Sequence, residues 1–138
     1  VVITISAAVN APLDRVWNYW NGPEHIVKWN AASDDWHTTK ATSVFRVGGT
    51  FSSRMEAKDG SFGFDFEAVY SEISMENNFT YGLDKRNVIV EFKELNKQTE
   101  ITISFDPENE NPAEIQEAGW QAILDNFARH VVARHRAH

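Results

Sequence analysis

Residues 51–70 read FSSRMEAKDGSFGFDFEAVY, and the fold turns on how they are read. Before Asp59-Gly60, the side chains of Phe51, Ser53, Met55 and Ala57 fall on one side of an extended chain. After it, Phe62, Phe64, Phe66, Ala68 and Tyr70 do the same. Two runs of period two separated by an Asp-Gly turn signal predict a β-hairpin. Arg54, Glu56, Asp65 and Glu67 fill the intervening positions, so the second face is wet. A sheet with one apolar face needs a cover on that face.

The same period extends outward from this hairpin. Turn signals at Gly48-Gly49, Asn77-Asn78, Asp84 to Asn87 and Asn96-Lys97 predict an antiparallel meander over residues 36–105. Val88, Val90 and Phe92 share one face of a later strand, and Ile101, Ile103 and Phe105 one face of the last; Glu91, Glu100 and Thr102 face the other way. Upstream, VITISAAV at residues 2–9 alternates and is rich in β-branched residues, as a strand with one covered face would be. Pro12 suits a helix N1 position, with Asp14 in the first turn and Leu13, Val16, Trp17 and Trp20 at helical spacing. Gly22 and Pro23 end that helix and open a second short one through His25, Ile26 and Trp29.

The cover is a final helix. Asn111 as cap, Pro112 at N1 and Glu114 at N3 resemble a capping box. Gln116, Trp120, Ile123, Leu124, Phe127 and Val131 form one apolar stripe over several turns. Gly119 is unfavourable in mid-helix by nearly 1 kcal/mol against Ala, which suggests a close approach of helix to sheet or a place beside a ligand. The order of elements predicts an α+β fold: a curved antiparallel sheet wrapped around a long C-terminal helix, with two short helices after the first strand. A flat sandwich without a cavity is the competing arrangement. With no repeat, linker or shift in composition, residues 1–138 read as a single domain.

Composition narrows the function. The chain has no cysteine, which removes disulfides, thiolate nucleophiles and thiolate metal sites. A formal net charge of −7 argues against nucleic acid as a partner. No apolar stretch approaches a membrane span, and the amino end carries no secretory pattern, so the expected compartment is the cytoplasm. There is no G-x-S-x-G, H-E-x-x-H or dinucleotide fingerprint, and Gly48-Gly49 precedes a strand rather than a helix. No catalytic residue, metal or other cofactor is therefore expected. What stands out is five Trp, nine Phe and three Tyr in 138 residues.

Specific strings carry a resemblance. AP-x-x-V-W (Ala11, Pro12, Val16, Trp17), the run from Asn21 to Trp29 and R-V-G-G-x-F from Arg46 to Phe51 resemble the helix-grip (START-like) SRPBCC superfamily. Within it they are similar to the family related to the heat-shock protein 90 ATPase activator. The segments Trp29 to Thr38, Met55 to Phe66 and Gly119 to Phe127 resemble a bacterial single-domain branch, over essentially the whole chain. The resemblance implies a helix-grip fold with an apolar cavity between sheet and long helix, in a branch proposed to bind small hydrophobic ligands. It supplies no catalytic motif, and the family name implies a chaperone partner and a link to stress response as an alternative.

The aromatic face has two readings, an interdigitated core or the lining of a pocket. A dry void of about 300 Å³ would cost on the order of 7 kcal/mol, comparable with a domain's whole stability. A pocket of that size must be open to water, partly collapsed or occupied. The lining residues expected are Trp20, Trp29 and Trp36 from the helical segment; Phe51, Met55, Phe64, Phe66, Tyr70, Val90 and Phe92 from the sheet; and Trp120, Ile123 and Leu124 from the helix. The opening is expected near the short helices, beside Ser33, Asp34 and Asp35, with Ser53, Tyr70, Gln116 and the indoles as the polar groups within.

Other polar residues read more plainly. His25 and His37, with Asp34 and Asp35, lack metal-ligand spacing. His130, His135 and His138 with Arg129, Arg134 and Arg136 suit the end of a helix dipole. Arg54, Asp65 and Glu67 suit cross-strand pairing in solvent. From Glu100 to Asp125 there are seven carboxylates and no Lys or Arg, which fits a solvated face or a dock for a basic partner. The leading expectation is a non-catalytic carrier or sensor of an aromatic or acyl ligand. A cyclase or aromatase-type enzyme and a chaperone ATPase-activating partner are the alternatives.

Overall fold

The structure is a computed structural model and describes residues 2–31, 33–83, 86–108 and 111–136, without the side chains of residues 134–136. Asp84 and Lys85 of the expected turn, Glu110, His138 and the side chains of Arg134, His135 and Arg136 lie outside the described residues. The chain runs β1 (Ile3–Val9), α1 (Leu13–Asn21), α2 (Pro23–Trp29), β2 (Trp36–Ser43), β3 (Thr50–Ala57), β4 (Gly63–Ser74), β5 (Asn78–Leu83), β6 (Arg86–Leu95), β7 (Gln98–Phe105) and α3 (Ala113–Arg136).

All seven strands form one antiparallel sheet in the order β1-β7-β6-β5-β4-β3-β2. From β2 to β7 each strand pairs with its neighbour in the chain. β1 instead pairs with the last strand, Ile3 opposite Phe105 and Ile5 opposite Ile103, because α1 and α2 carry the chain across the concave face before β2 begins. The sheet curls around α3, the expected α+β helix-grip arrangement.

Turn chemistry explains the hairpins. Gly48, Gly60 and Asn96 adopt φ values of 85°, 78° and 61°, the left-handed region that suits Gly and Asn. One turn differs from expectation: Glu76, at φ 58°, takes the left-handed position, and Asn78 already opens β5. Pro23 stands in the first turn of α2 as expected, whereas Pro12 and Pro112 each sit one position before the first helical residue. The capping box at α3 does not form. Asn111 turns its amide to the Glu108 carboxylate, and the Pro112 carbonyl accepts from the amides of Ile115 and Gln116 at 3.1 and 3.2 Å.

The core lies between the concave face and the carboxyl half of α3. Leu124, Phe127 and Val131 are fully buried there. Phe127 meets Trp20 and Trp29 edge-on with ring centroids 4.8 Å away in both cases, and Trp17 meets Phe92, Phe79 and Phe45 at 5.0, 5.7 and 5.8 Å. Such edge-to-face contacts contribute about 0.5–1.5 kcal/mol each beyond the area they bury. The first two turns of α3 hold no buried residue. Phe62 and Phe64, expected on the covered face of their strand, are 64% and 42% exposed: Phe62 precedes β4, and Phe64 borders open space rather than packed side chains.

Candidate functional site

Where α3 leaves the sheet, a cavity of about 280 Å³ remains between them. Trp29, Phe51 and Phe66 meet Trp120 and Ile123 across it, with Trp20, Met55, Phe64, Tyr81 and Leu83 completing the apolar wall. At roughly 24 cal/mol per Å³, a dry void of this size would cost about 7 kcal/mol. This one does not stand closed: Met55, Phe64, Gln116, Trp120 and Ile123 also line a second, outer void of about 400 Å³. Ser33, Trp36, Ile115 and Gly119 border that outer space. Ile115 is 62% exposed, so the mouth is open to solvent.

The strand period accounts for the wall. Phe79, Tyr81 and Leu83 alternate inward on β5, as do Phe51 and Met55 on β3 and Phe66 on β4. Aromatic contacts hold these rings in place: Phe51 to Tyr81 at 5.3 Å, Phe66 to Tyr81 at 6.1 Å, and Phe105 stacked on Trp120 at 5.1 Å. At the mouth, Trp36 touches Phe62 and Phe64 at 6.1 and 5.9 Å.

Of the residues expected to line a pocket, Trp20, Trp29, Phe51, Met55, Phe64, Phe66, Trp120 and Ile123 line the inner cavity, and Trp36 the outer one. Four belong to the solid core instead. Val90 and Leu124 are fully buried, and Phe92 is held between Trp17 and Phe79. Tyr70 packs against Phe45 and bonds Ser43 at 2.9 Å. Phe92 and Tyr70 lie toward the end of the interface that α1 and Phe45 fill. The opening is beside Ser33 and Trp36, as expected, but Trp20 and Trp29, 3% and 4% exposed, form the inner wall rather than the rim. Asp34 and Asp35 line neither space.

Tyr81, Leu83, Asn30, Arg86 and Glu108 complete the inner lining. The signal for the first two lay in F-T-Y-G-L at residues 79–83, an alternating run between two turns. Gly119 borders the outer space, and a Cβ added there would meet nothing within 4 Å. No close approach to the sheet requires it.

Polar groups near the cavity are mostly engaged. Trp20 Nε1 donates to the Tyr81 hydroxyl at 3.2 Å, and Trp29 Nε1 to the Tyr19 carbonyl at 3.1 Å. Asn30 Nδ2 donates to the buried Ser53 Oγ at 3.4 Å. Burial pushes the phenol of Tyr81 far above its ordinary value, and that of Tyr70 upward as well. Both stay neutral in the physiological range. Gln116 ties the start of α3 to the chain leaving β7: its Oε1 accepts from the Glu108 amide at 2.8 Å, and its Nε2 donates to the carbonyls of Asn111 and Glu108 at 2.8 and 3.1 Å.

The remaining polar candidates are placed elsewhere. His25 meets His130, Nδ1 to Nε2 at 3.4 Å, with Tyr19 against the His25 ring at 4.4 Å. His37 stands on β2 opposite Glu56. Among the described residues no three His, Asp or Glu side chains group as a metal site. Arg54 bonds Glu56 at 3.1 Å and approaches Asp65 at 3.6 Å on the outer face of the sheet; Glu67 is not part of that network. Among the described residues no helix is long and apolar enough to cross a membrane.

Residues 10–131 match the protein family described as Activator of Hsp90 ATPase homolog 1-like protein. The chain is similar to an AHSA1-like protein from Aeromonas hydrophila whose solution structure superposes with a TM-score of 0.92, at 40% identity over 98% of this chain and 94% of that one. A protein from Cytophaga hutchinsonii gives 0.82 at 42% identity, covering 99% and 95%. A Nitrosomonas europaea protein at 16% identity, TM-score 0.83 and coverage of 99% and 97%, shares the fold. No curated protein matches the chain significantly.

Proposed function

Since this chain belongs to the Activator of Hsp90 ATPase homolog 1-like family, we propose that it binds a small hydrophobic molecule, aromatic or acyl, as a non-catalytic carrier or sensor. The observation that carries this reading is the cavity of about 280 Å³, walled by rings and open at one end, in a fold whose other end is packed solid. That volume is close to the lower bound of ordinary ligand pockets, roughly 300 Å³, and suits a molecule of two or three rings or a short acyl chain. Trp20, Trp29 and Trp120 line the space and would report its occupation. Titrating their fluorescence with a varied set of aromatic and acyl compounds tests the proposal. A saturable change with a subset of them is expected; no saturable change across the set would sink it.

The family match also raises a second reading, stimulation of an Hsp90-class ATPase. An ATPase assay with added protein separates the two. Ligand binding without stimulation leaves the carrier reading standing alone, and stimulation without ligand binding replaces it.

A further inference from the structure

On the concave side of β6, Val88, Val90 and Phe92 are buried in sequence. Two residues earlier the same alternation delivers Arg86 to that side. Arg86 opens the strand opposite Leu83 of β5, is half-buried, and lines the inner cavity. It is the cation in a wall made mostly of aromatic and aliphatic side chains, with Asn30, Glu108 and Gln116 as the other polar members. Its Nη1 donates one long bond, 3.4 Å, to the Asp106 carbonyl, and no carboxylate among the described residues lies within ion-pair distance of it. A guanidinium carries five N–H donors, so most of this fork is unused by the described residues. Glu108 also lines the cavity but is engaged elsewhere: its side chain accepts from Asn111 and its main chain is held at both polar atoms by Gln116.

A cation on a partly dry surface loses hydration and is stabilised there only by a partner. We propose that the ligand brings that partner: the cavity takes an amphipathic molecule whose apolar body lies among the rings and whose carboxylate is gripped by Arg86. The planar fork matches the two oxygens of a carboxylate, which makes such bonds short, charge-assisted and directional. This inference rests on the proposed binding function and specifies its ligand class.

The background works against this preference, which makes it diagnostic. A net charge of −7 repels anions at long range, and an apolar cavity alone would favour an uncharged ester over the corresponding anion. Tighter binding of the anion must therefore come from a local cation.

The test compares 2-naphthoate with methyl 2-naphthoate by calorimetry or by quenching of tryptophan fluorescence. The carboxylate should bind about tenfold more tightly, as one charge-assisted pair implies, and the margin should shrink as salt is added. Arg86→Gln should remove the margin by weakening carboxylate binding more than ester binding, and Arg86→Lys should restore part of it. Ester binding equal to or tighter than carboxylate binding in the unaltered protein overturns the inference and leaves the cavity function intact. Failure of both compounds and of the wider ligand set overturns both. If Arg86→Gln does not fold, the carboxylate-to-ester ratio and its salt dependence still decide the matter.

Discussion

The interface between α3 and the sheet has two ends built from the same residue types. Around Phe127 the rings of Trp20 and Trp29 meet edge-on at 4.8 Å and the space is filled. Around Trp120, two turns earlier on the same helix, Phe105 stacks at 5.1 Å and Phe66 stands at 6.3 Å, with open volume beside them. The difference is a third layer. At the filled end α1 inserts Trp17, and Phe45 arrives from the segment before β3 to meet it. At the open end no such element arrives among the described residues, and Phe62 and Phe64 stay 64% and 42% exposed, Phe64 bordering both voids. Aromatic content alone therefore does not distinguish a core from a cavity; what matters is whether another element arrives to fill the space.

Truncation at the filled end should have the largest effect. Phe127→Ala removes a fully buried ring and is expected to destabilise the protein by about 3–5 kcal/mol, measured by denaturant unfolding. A loss below 1 kcal/mol would mean that this end is no better packed than the other.

The next effect appears in alkali. Burial raises the Tyr81 and Tyr70 phenols above their ordinary values. The unfolded chain releases these protons near pH 10 while the folded one retains them. Their contribution is thus fully present below about pH 10 and is lost as pH rises above it, by roughly 1.4 kcal/mol per pH unit for each ring until its folded value is reached. Unfolding midpoints followed from pH 8 to 12, with tyrosinate absorbance, check this. Replacing Tyr81 by Phe should flatten the slope.

At the open end the balance between stability and binding reverses. Trp120 is half-buried and borders both voids, so Trp120→Ala should lower stability by only about 1–2 kcal/mol. Ligand affinity should fall at least about tenfold. A stability loss equal to that of Phe127→Ala would erase the contrast between the ends. The smallest expected change is a gain. Because a Cβ at Gly119 meets open space, Gly119→Ala should stabilise the helix by up to about 1 kcal/mol and raise the melting temperature by about 4 °C. A loss would show that the helix start is more tightly packed than its surroundings indicate.

The contrast between the ends also marks how far the sequence could be read. The hairpin at residues 51–70, the meander, the two short helices and the covering helix follow from period and turn residues, because those signals are local. Nine of thirteen expected lining residues border one of the two voids. Tyr70, Val90, Phe92 and Leu124 share their alternation or helical stripe with the true lining. They differ only in their place along the interface, which depends on where α1 docks. Arg86 is hard to read because it falls within the turn signal of residues 84–87, where a charged residue resembles ordinary solvated chain; only its parity with Val88 marks it as inward. The seven carboxylates from Glu100 to Asp125 are close in sequence, but the six that are described spread over β7, the connecting chain and the outer side of α3, with Asp106 engaged by the Asn87 amide at 3.1 Å.

An open sheet has two free edges, and each is a template on which another chain can add a strand. Here they belong to β1 and β2. On β2 the register slips between Thr38 and Lys40, so the strand bends where a visitor would need it straight, and the exposed lysine beside the slip adds a charge. β1 lies alongside α3, where Gln121 Nε2 donates to the Ser6 carbonyl at 3.2 Å and occupies an acceptor that a foreign strand would need. Growth of the sheet by strand addition is thereby obstructed at both ends, so the fold can keep an aromatic mouth open to water with less risk of assembling into fibres through its edges.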